Sequence, residues 1–290
     1  MKRIGFIGLG NMGSKMVVNL VEANYEVIGY DINEKFTDEL VPKGIKKAVD
    51  LSYISRDTDI IITMLPNGEV VEKVYDNIIS NFNPGTLFVD CSTIDVDKAK
   101  DLHKKCDKKR ILSLDAPVSG GVGGAENATL TFMVGGNEDA YKIMLPLFEV
   151  MGQKSLLCGS SGSGQATKAC NNMLLATTMI GVGEAFSLGK NLGLDAKKLF
   201  EIFSTSTSSC WAINNYCPIK NVGPISPADN NFQPGFSADL MLKDLTIALK
   251  AIKTTNTNAN FGKKAQENFK KMVENNRGSF DFSAITKFNE

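Results

Sequence analysis

The chain has 290 residues, of which 43% are hydrophobic and 22% charged, with 32 basic side chains balanced by 32 acidic ones. That length calls for more than one small module, and the composition excludes disorder, a collagen-like repeat and a membrane bundle. The charge balance removes any broad basic field for nucleic acid or an anionic membrane. There is one histidine, and the six cysteines at 91, 106, 158, 170, 210 and 217 include no C-x-x-C pair, so no metal site is expected. Cys158 and Cys170 stand in apolar stretches and read as small hydrophobes in a reducing compartment.

Met1-Lys2-Arg3 runs straight into a short apolar stretch with no signal-peptide core, so an intracellular chain, or one freed of a presequence, is expected. Residues 3–7 read as a first strand, followed at once by Gly8-Leu9-Gly10-Asn11-Met12-Gly13 and the helical spacing Met16-Val17-Leu20-Val21. In that setting Gly8 permits a tight turn, Gly10 lets the backbone approach a pyrophosphate, and Gly13 lets the helix close on the strand. The helix N-terminus then offers N–H groups to phosphate. A second strand at 26–30 ends at Asp31, where a carboxylate accepts from ribose hydroxyls and repels a 2′-phosphate. Arg3, Arg56, Arg110 and Arg277 are the only arginines and Lys35 is the next cation after Asp31, so NAD is the expected cofactor. A plain turn, with Asp31 as a helix cap, is the alternative.

Further strands are expected at 59–64, 86–90, 111–114, 130–134 and 155–158, with helical patterns at 70–78 and 140–147. Continuous apolar runs alternating with 3.6-residue periodicity describe a doubly wound sheet covered on both faces. Leu65-Pro66 and Thr93 then fall along its carboxyl edge, where ligands of such sheets bind, although Thr93 serves equally as a cap for the next helix. His103, among Asp101, Lys104, Lys105 and Asp107, reads as part of a solvated helix face. The run Asp115-Ala116-Pro117-Val118-Ser119-Gly120-Gly121-Val122-Gly123-Gly124 reads as a loop whose Ser119 hydroxyl and successive N–H groups suit an anion. A merely flexible loop is the other reading.

Beyond about residue 160 helical periodicity continues alone, at 173–192, 195–203, 238–252 and 262–273, with an irregular Pro-, Asn- and Gly-rich stretch at 214–233. The expected fold class is therefore α/β: a Rossmann domain over 1–161 and an all-α domain over 162–290 that opens with a long interdomain helix. Asn171, Asn172, Thr177, Thr178 and Glu184 interrupt the apolar start of that helix and argue against a membrane span. Lys168 and Asn172, four residues apart, share a helix face. A lysine transfers protons when burial or a nearby positive charge brings its pKa toward the working pH, and an amide can orient a hydroxyl or carboxylate. The alternative is an exposed lysine beside a buried structural amide. Trp211, Tyr216, Phe232 and Phe236 read either as an apolar substrate wall or as core.

Gly8 to Gly13, Asp115-Ala116-Pro117-Val118-Ser119-Gly120-Gly121, the run from Gly162-Ser163-Gly164-Gln165 through Lys168 to Asn172, and Leu242-Lys243-Asp244-Leu245 together resemble the β-hydroxyacid dehydrogenase family. The four motifs stand in the family's order over nearly the whole chain. Leu130-Thr131-Phe132-Met133-Val134-Gly135-Gly136, Asn171-Asn172-Met173-Leu174-Leu175 and Cys210-Trp211 most resemble its members that act on 3-hydroxyisobutyrate. The resemblance implies NAD-dependent oxidation of that acid to methylmalonate semialdehyde, a step of valine catabolism, with Lys168 as general acid/base. It implies that Ser119, Gly120, Gly121 and Asn172 hold the substrate, and that Gly8, Leu9, Gly10, Asn11, Met12, Gly13, Asp31, Leu65, Pro66, Thr93 and Lys243 hold NAD. The implied partners are a small hydroxy acid and further copies of the chain, as a homodimer or homotetramer. The implied location is the mitochondrial matrix in a eukaryote and the cytoplasm in a bacterium. Ser208-Ser209 stands where mammalian-type members carry Gly-Arg, and Asn67-Gly68-Glu69-Val70 also departs from the usual pattern. The scarcity of arginine argues against a phosphorylated sugar acid. Reduction of tartronate semialdehyde or a related compound is the rival activity, and a non-catalytic NAD-binding protein the rival of another kind.

Overall fold

A computed structural model describes residues 2–54 and 58–288; Arg56, one of the four arginines, lies outside them. The chain divides into two units, 1–168 and 169–290. In the first, β1 (Arg3–Ile7), β2 (Glu26–Tyr30), β3 (Lys46–Lys47), β4 (Ile60–Thr63), β5 (Leu87–Asp90), β6 (Leu112–Asp115), β7 (Val118–Ser119), β8 (Leu130–Gly136) and β9 (Gly152–Gly159) make one sheet. Its order is β3-β2-β1-β4-β5-β6-β8-β7, with β9 paired to β8. The strands from β3 to β6 pair in parallel.

Side chains alternate across this sheet, so each strand feeds two cores. Ile4, Phe6, Ile60, Ile62, Leu87 and Val89 pack on one face, while Ile7, Ile61 and Phe88 pack on the other. Both faces are covered, which is why the strands read as unbroken apolar runs. The covering helices are α1 (Gly13–Glu22), α2 (Glu34–Leu40), α3 (Leu51–Ile54), α4 (Gly68–Ile78), α5 (Val96–Lys108), α6 (Gly121–Glu126) and α7 (Glu138–Met151). Side chains of Asn33, Asn67, Asp95 and Asn137 cap α2, α4, α5 and α7, each cap being worth about 1 kcal/mol.

Two features depart from the sequence reading. β8 runs antiparallel to both β6 and β7, which lie in one register against it with only Ala116 and Pro117 between them; the ten residues from Gly120 to Thr129 that join β7 to β8 turn the chain straight back, short of the dozen or more that a parallel crossover takes. The glycine-rich run is also less of a loop than expected, since Val118–Ser119 forms β7 and Gly121–Glu126 forms α6.

The second unit is helical among its described residues, apart from a single bridge between Ser237 and Asp281. α8 (Ser163–Asn191) begins in the first unit and continues into the second, where α9 (Ala196–Thr205), α10 (Trp211–Asn214), α11 (Ala238–Thr255), α12 (Asn260–Met272) and α13 (Ile285–Phe288) follow. Met179, Phe186, Met241, Leu245, Phe269 and Phe282 form its core. A Cβ on Gly183 would lie 2.6 Å from Thr286 Cβ, so glycine is what lets α8 lie against the C-terminal segment. The irregular stretch holds only the short turn Pro227–Asn230, and fully buried Asp281 anchors the chain just beyond it, accepting from Tyr216 Oη and the Gly235 and Phe236 amides. Cys170 is exposed rather than buried, and Cys158 only partly covered. Among the described residues no helix is long and apolar enough to cross a membrane.

Candidate active site

Register brings the ends of the parallel strands into one row, Tyr30, Ile7, Thr63, Asp90 and Asp115, so whatever follows them collects at one edge. Strand order reverses between β1 and β4, where ligands of open α/β sheets bind. Gly8 there has φ +96°, and a Cβ on it would sit 2.3 Å from the Met64 carbonyl oxygen, while one on Gly13 would sit 1.9 Å from the Gly8 oxygen. The turn itself requires both glycines. Gly10 differs, because nothing lies within 4 Å of where its Cβ would be. Behind it α1 starts at Gly13, with Met12 in the cap position, no capping side chain and no acid in the first turn. An open glycine at an uncapped helix start is the cradle that a pyrophosphate requires, so the residues present fit a dinucleotide.

Asp31 is half-buried, its Oδ2 accepting from the Leu9 amide at 2.7 Å and its Oδ1 from the Asn33 amide at 2.8 Å. It ties the glycine loop to the end of β2, with lone pairs remaining for ribose hydroxyls. The cap of α2 is Asn33 rather than Asp31. Leu65 donates its amide to Ser92 Oγ at 2.8 Å, and Pro66 beside it is exposed. Thr93 lies between Ser92 and Ile94, and Gln165 holds both neighbours: its Nε2 donates to the Ser92 carbonyl at 2.7 Å and its Oε1 accepts from the Ile94 amide at 3.0 Å. Asp95 caps α5, so capping is not Thr93's role.

Buried Asp90 accepts from Thr63 Oγ1 at 2.8 Å and from the Ser92 amide at 3.1 Å, while its Oδ2 has no hydrogen-bond partner. Burial pushes its carboxyl up to about 6, against the lowering effect of those hydrogen bonds. Next in the row, Asp115 meets the start of α8. Its Oδ1 accepts from the Gly162 amide at 2.7 Å and its Oδ2 from the Gln165 amide at 2.9 Å, so a carboxylate on β6 stands where a capping side chain ordinarily would. A Cβ on Gly164 would lie 2.3 Å from the Met133 oxygen and 2.5 Å from the Asp115 oxygen, so α8 can dock here only with glycine at that position. Lys168 follows one turn later and is 7% exposed, which removes the reading of an exposed lysine.

His103 corrects the expectation of a solvated face. It is buried on α5, its Nε2 3.0 Å from Asp115 Oδ1 and its Nδ1 2.6 Å from Ser113 Oγ. The charged residues around it in sequence point elsewhere, as helical geometry allows every third or fourth residue to turn inward. Ser119 lies at the end of β7, partly buried, with Gly120 and Gly121 following at φ +136° and +63°, backbone conformations that L side chains rarely adopt.

In the second unit, Asn172 is buried and donates through Nδ2 to Asp244 Oδ2 at 2.5 Å, while its Oδ1 accepts from Asn171 Nδ2 at 2.9 Å. Lys243 Nζ lies 3.4 Å from Asp244 Oδ1, close enough for an ion pair though not aligned as a hydrogen bond. Asp244 thus joins two of the residues singled out in the sequence. Neither it nor Asp90, Asp115 or Gln165 was assigned a role from sequence, although Asp115, Gln165 and Asp244 lie inside the quoted motifs. Trp211 stacks on Tyr216 at 4.8 Å and Tyr216 on Phe282 at 5.6 Å, leaving the indole half-exposed at the end of an aromatic stack. Phe232 is core.

Residues 3–159 match a family described as the NAD binding domain of 6-phosphogluconate dehydrogenase, and residues 162–289 one described as NAD-binding of NADP-dependent 3-hydroxyisobutyrate dehydrogenase. A probable 3-hydroxyisobutyrate dehydrogenase of Mycobacterium bovis is 42% identical over 285 residues, 98% of this chain and 97% of its own. The chain belongs to the 3-hydroxyisobutyrate dehydrogenase family. The mitochondrial 3-hydroxyisobutyrate dehydrogenase of Drosophila melanogaster is 43% identical over 98% of this chain and 88% of its own length. The 3-hydroxyisobutyrate dehydrogenase of Mycobacterium tuberculosis, solved with L-serine, superposes with a TM-score of 0.96 at 42% identity, covering 100% of this chain and 99% of that one. As a member of the 3-hydroxyisobutyrate dehydrogenase family the chain is an oxidoreductase with an NAD-binding Rossmann domain, and the family includes both bacterial and mitochondrial enzymes.

Proposed function

We propose that the chain oxidises 3-hydroxyisobutyrate with NAD⁺, using Lys168 to move the hydroxyl proton. The observation that carries this is the buried lysine one turn into α8, a helix whose first turn is fixed to the carboxyl edge of the sheet by Asp115 and Gln165. Bound NAD⁺ supplies the two-electron acceptor. Gly8, Leu9, Gly10, Asn11, Met12 and Gly13 receive its pyrophosphate and Asp31 its ribose, while Leu65, Pro66, Thr93 and Lys243 complete its contacts. Asp31 accounts for the choice of NAD over NADP, since its carboxylate repels a 2′-phosphate. Ser119 and the Gly120 and Gly121 amides hold the substrate carboxylate, and Asn172 orients the hydroxyl. Lys168 takes the hydroxyl proton as the carbinol carbon is oxidised to the carbonyl, a contribution of about 10²–10⁴-fold. Half-exposed Trp211 offers an apolar surface to the substrate methyl. We infer a division into a cofactor domain at 1–161 and a substrate and oligomerisation domain at 162–290; the two families matched over 3–159 and 162–289 support the boundary, and the compact units divide seven residues later, after Lys168. The enzyme would act in mitochondria if its source is eukaryotic and in the cytoplasm if bacterial.

The test is NADH formation by purified protein with (S)-3-hydroxyisobutyrate, L-serine or D-glycerate, each with NAD⁺ and NADP⁺, together with tartronate semialdehyde in the reducing direction. The expected result is preference for hydroxyisobutyrate with NAD⁺, and loss of turnover but not of NADH binding in Lys168→Ala. A Lys168→Ala enzyme with full turnover would overturn the assignment of the proton-transfer group.

A further inference from the structure

The chain's single histidine is buried against the carboxylate that starts α8, and its ring hydrogen-bonds to Asp115 and Ser113, neither of them assigned to cofactor or substrate. A buried imidazole and carboxylate cost desolvation unless each finds partners, and a partly buried hydroxyl stands beside them. Here the accounting closes. Asp115 presents only acceptors, so His103 Nε2 carries the proton and donates to Asp115 Oδ1 at 3.0 Å. His103 Nδ1 is then the acceptor for Ser113 Oγ–H at 2.6 Å. With the imidazole and the Gly162 amide on Oδ1 and the Gln165 amide on Oδ2, the carboxylate takes three donors and has one orientation. Glycine makes the approach possible: a Cβ on Gly135 would lie 2.5 Å from Asp115 Oδ1 and 2.6 Å from the Gly164 nitrogen. One on Gly136 would lie 3.4 Å from His103 Cε1 and 2.7 Å from Leu114 Cδ2. Gly162, at φ +86°, has Lys100 and Val96 of α5 against it, so α5 also bears on the start of α8.

We propose that His103 is a positioning residue: through Asp115 it fixes the azimuth and depth of the first turn of α8, and thereby the place of Lys168 three residues beyond Gln165. This rests on the reading of Lys168 as the proton-transfer group. Ordinary capping needs only a carboxylate; the Ser113–His103–Asp115 chain adds a constraint on how that carboxylate is turned, and a misplacement of about 1 Å at a reacting group can cost on the order of a hundredfold in rate. The glycine cradle follows β1, three strands from β6 in this row, so NAD⁺ binding there should not follow the histidine.

The experiment compares wild type with His103→Leu, which removes the donor, and His103→Gln, whose Nε2 can restore it, with Lys168→Met alongside. Turnover is expressed per NADH-binding site from fluorescence titration, so unfolded protein does not count. In His103→Leu, kcat is expected to fall about tenfold or more with the KM for NAD⁺ within about twofold of wild type, and His103→Gln should recover most of the loss. A His103→Leu enzyme with wild-type kcat per site and only a lower Tm would reduce the histidine to a stability role and overturn the proposal, as would a glutamine that rescues nothing. Lys168→Met separates the two readings. If it keeps turnover, the lysine assignment fails and the inference with it; if it abolishes turnover while His103→Leu is fully active, only the positioning role fails. Should His103→Leu not fold, Ser113→Ala loosens the imidazole with a smaller perturbation, and an unchanged kcat there would count against the proposal.

Discussion

Asp90 and Asp31 are carboxylates at strand ends along the same edge of the sheet, with two strands between them and opposite circumstances. Asp90 has a raised pKa of about 6, so between roughly pH 4 and pH 6 the folded state binds more protons than the unfolded one and stability falls as pH rises through that window. The effect is fully felt above pH 6 and is worth at most about 3 kcal/mol. Asp90→Asn keeps the acceptor for Thr63 and Ser92 but cannot ionise. Relative to wild type it should therefore gain stability between pH 4 and pH 7.5, read from urea midpoints at both values, and parallel pH profiles would refute the burial argument. Asp31 acts instead through partners. Asp31→Ala removes the acceptor of the Leu9 amide, costing about 1 kcal/mol of stability. It should also raise the KM for NAD⁺ while narrowing its advantage over NADP⁺; an unchanged cofactor ratio would show that selectivity lies elsewhere.

The glycine loop and the start of α8 show what a helix N-terminus needs in order to be close to something. Gly10 and Gly13 differ by what surrounds them. A methyl on Gly10 meets open space, whereas on Gly13 it meets the Gly8 oxygen. Gly10→Ala should leave Tm within a degree or two and weaken NADH binding, because the methyl stands where the pyrophosphate comes. Gly13→Ala should lower stability by about 1–3 kcal/mol through overpacking. Equal losses of Tm in the two variants would remove the case for an open cradle. Gly164→Ala, aimed at the Met133 and Asp115 oxygens, should both destabilise and slow turnover, since α8 must lift to admit the methyl.

At the scale of the molecule, the second unit has more apolar surface than its own core uses. Leu174 and Leu188 on α8 and Leu192 just beyond its end are 67%, 61% and 66% exposed, and nothing lies within 4 Å of where a Cβ on Gly181, midway between the first two at seven-residue steps, would be. A strip of that kind along one helix is what a neighbouring helix covers. Light scattering should give two or four times the monomer mass, and Leu174→Asp with Leu188→Asp should reduce it; a monomeric wild type would refute the expectation of a homodimer or homotetramer.

Much of this was legible in the residues themselves. Alternation of apolar runs with 3.6-residue periods gave the doubly wound sheet and the helical second half, since burial on two faces and on one stripe leaves different local patterns. The glycine loop and Asp31 could be proposed as a cofactor site from their place after two strands, whereas Lys168 and Asn172 were singled out through the family resemblance, since their spacing alone fitted a structural pair equally well. What stayed hidden depends on distant pairing. β7 and the antiparallel β8 form because the chain turns straight back after Ser119, and that pairing shows only when the partner strands are placed. Asp90 looked like a strand end until its burial and its row of neighbours were known. His103 sits among charged residues, and no local signal says that this one turns inward to meet Asp115, twelve residues on. The sequence by itself determined the two-part fold pattern and offered the glycine loop and the lysine as candidates; only the tertiary structure decided what packs around the start of the lysine's helix, because a hydrogen-bond network between a helix, a strand and the start of another helix has no period in the sequence.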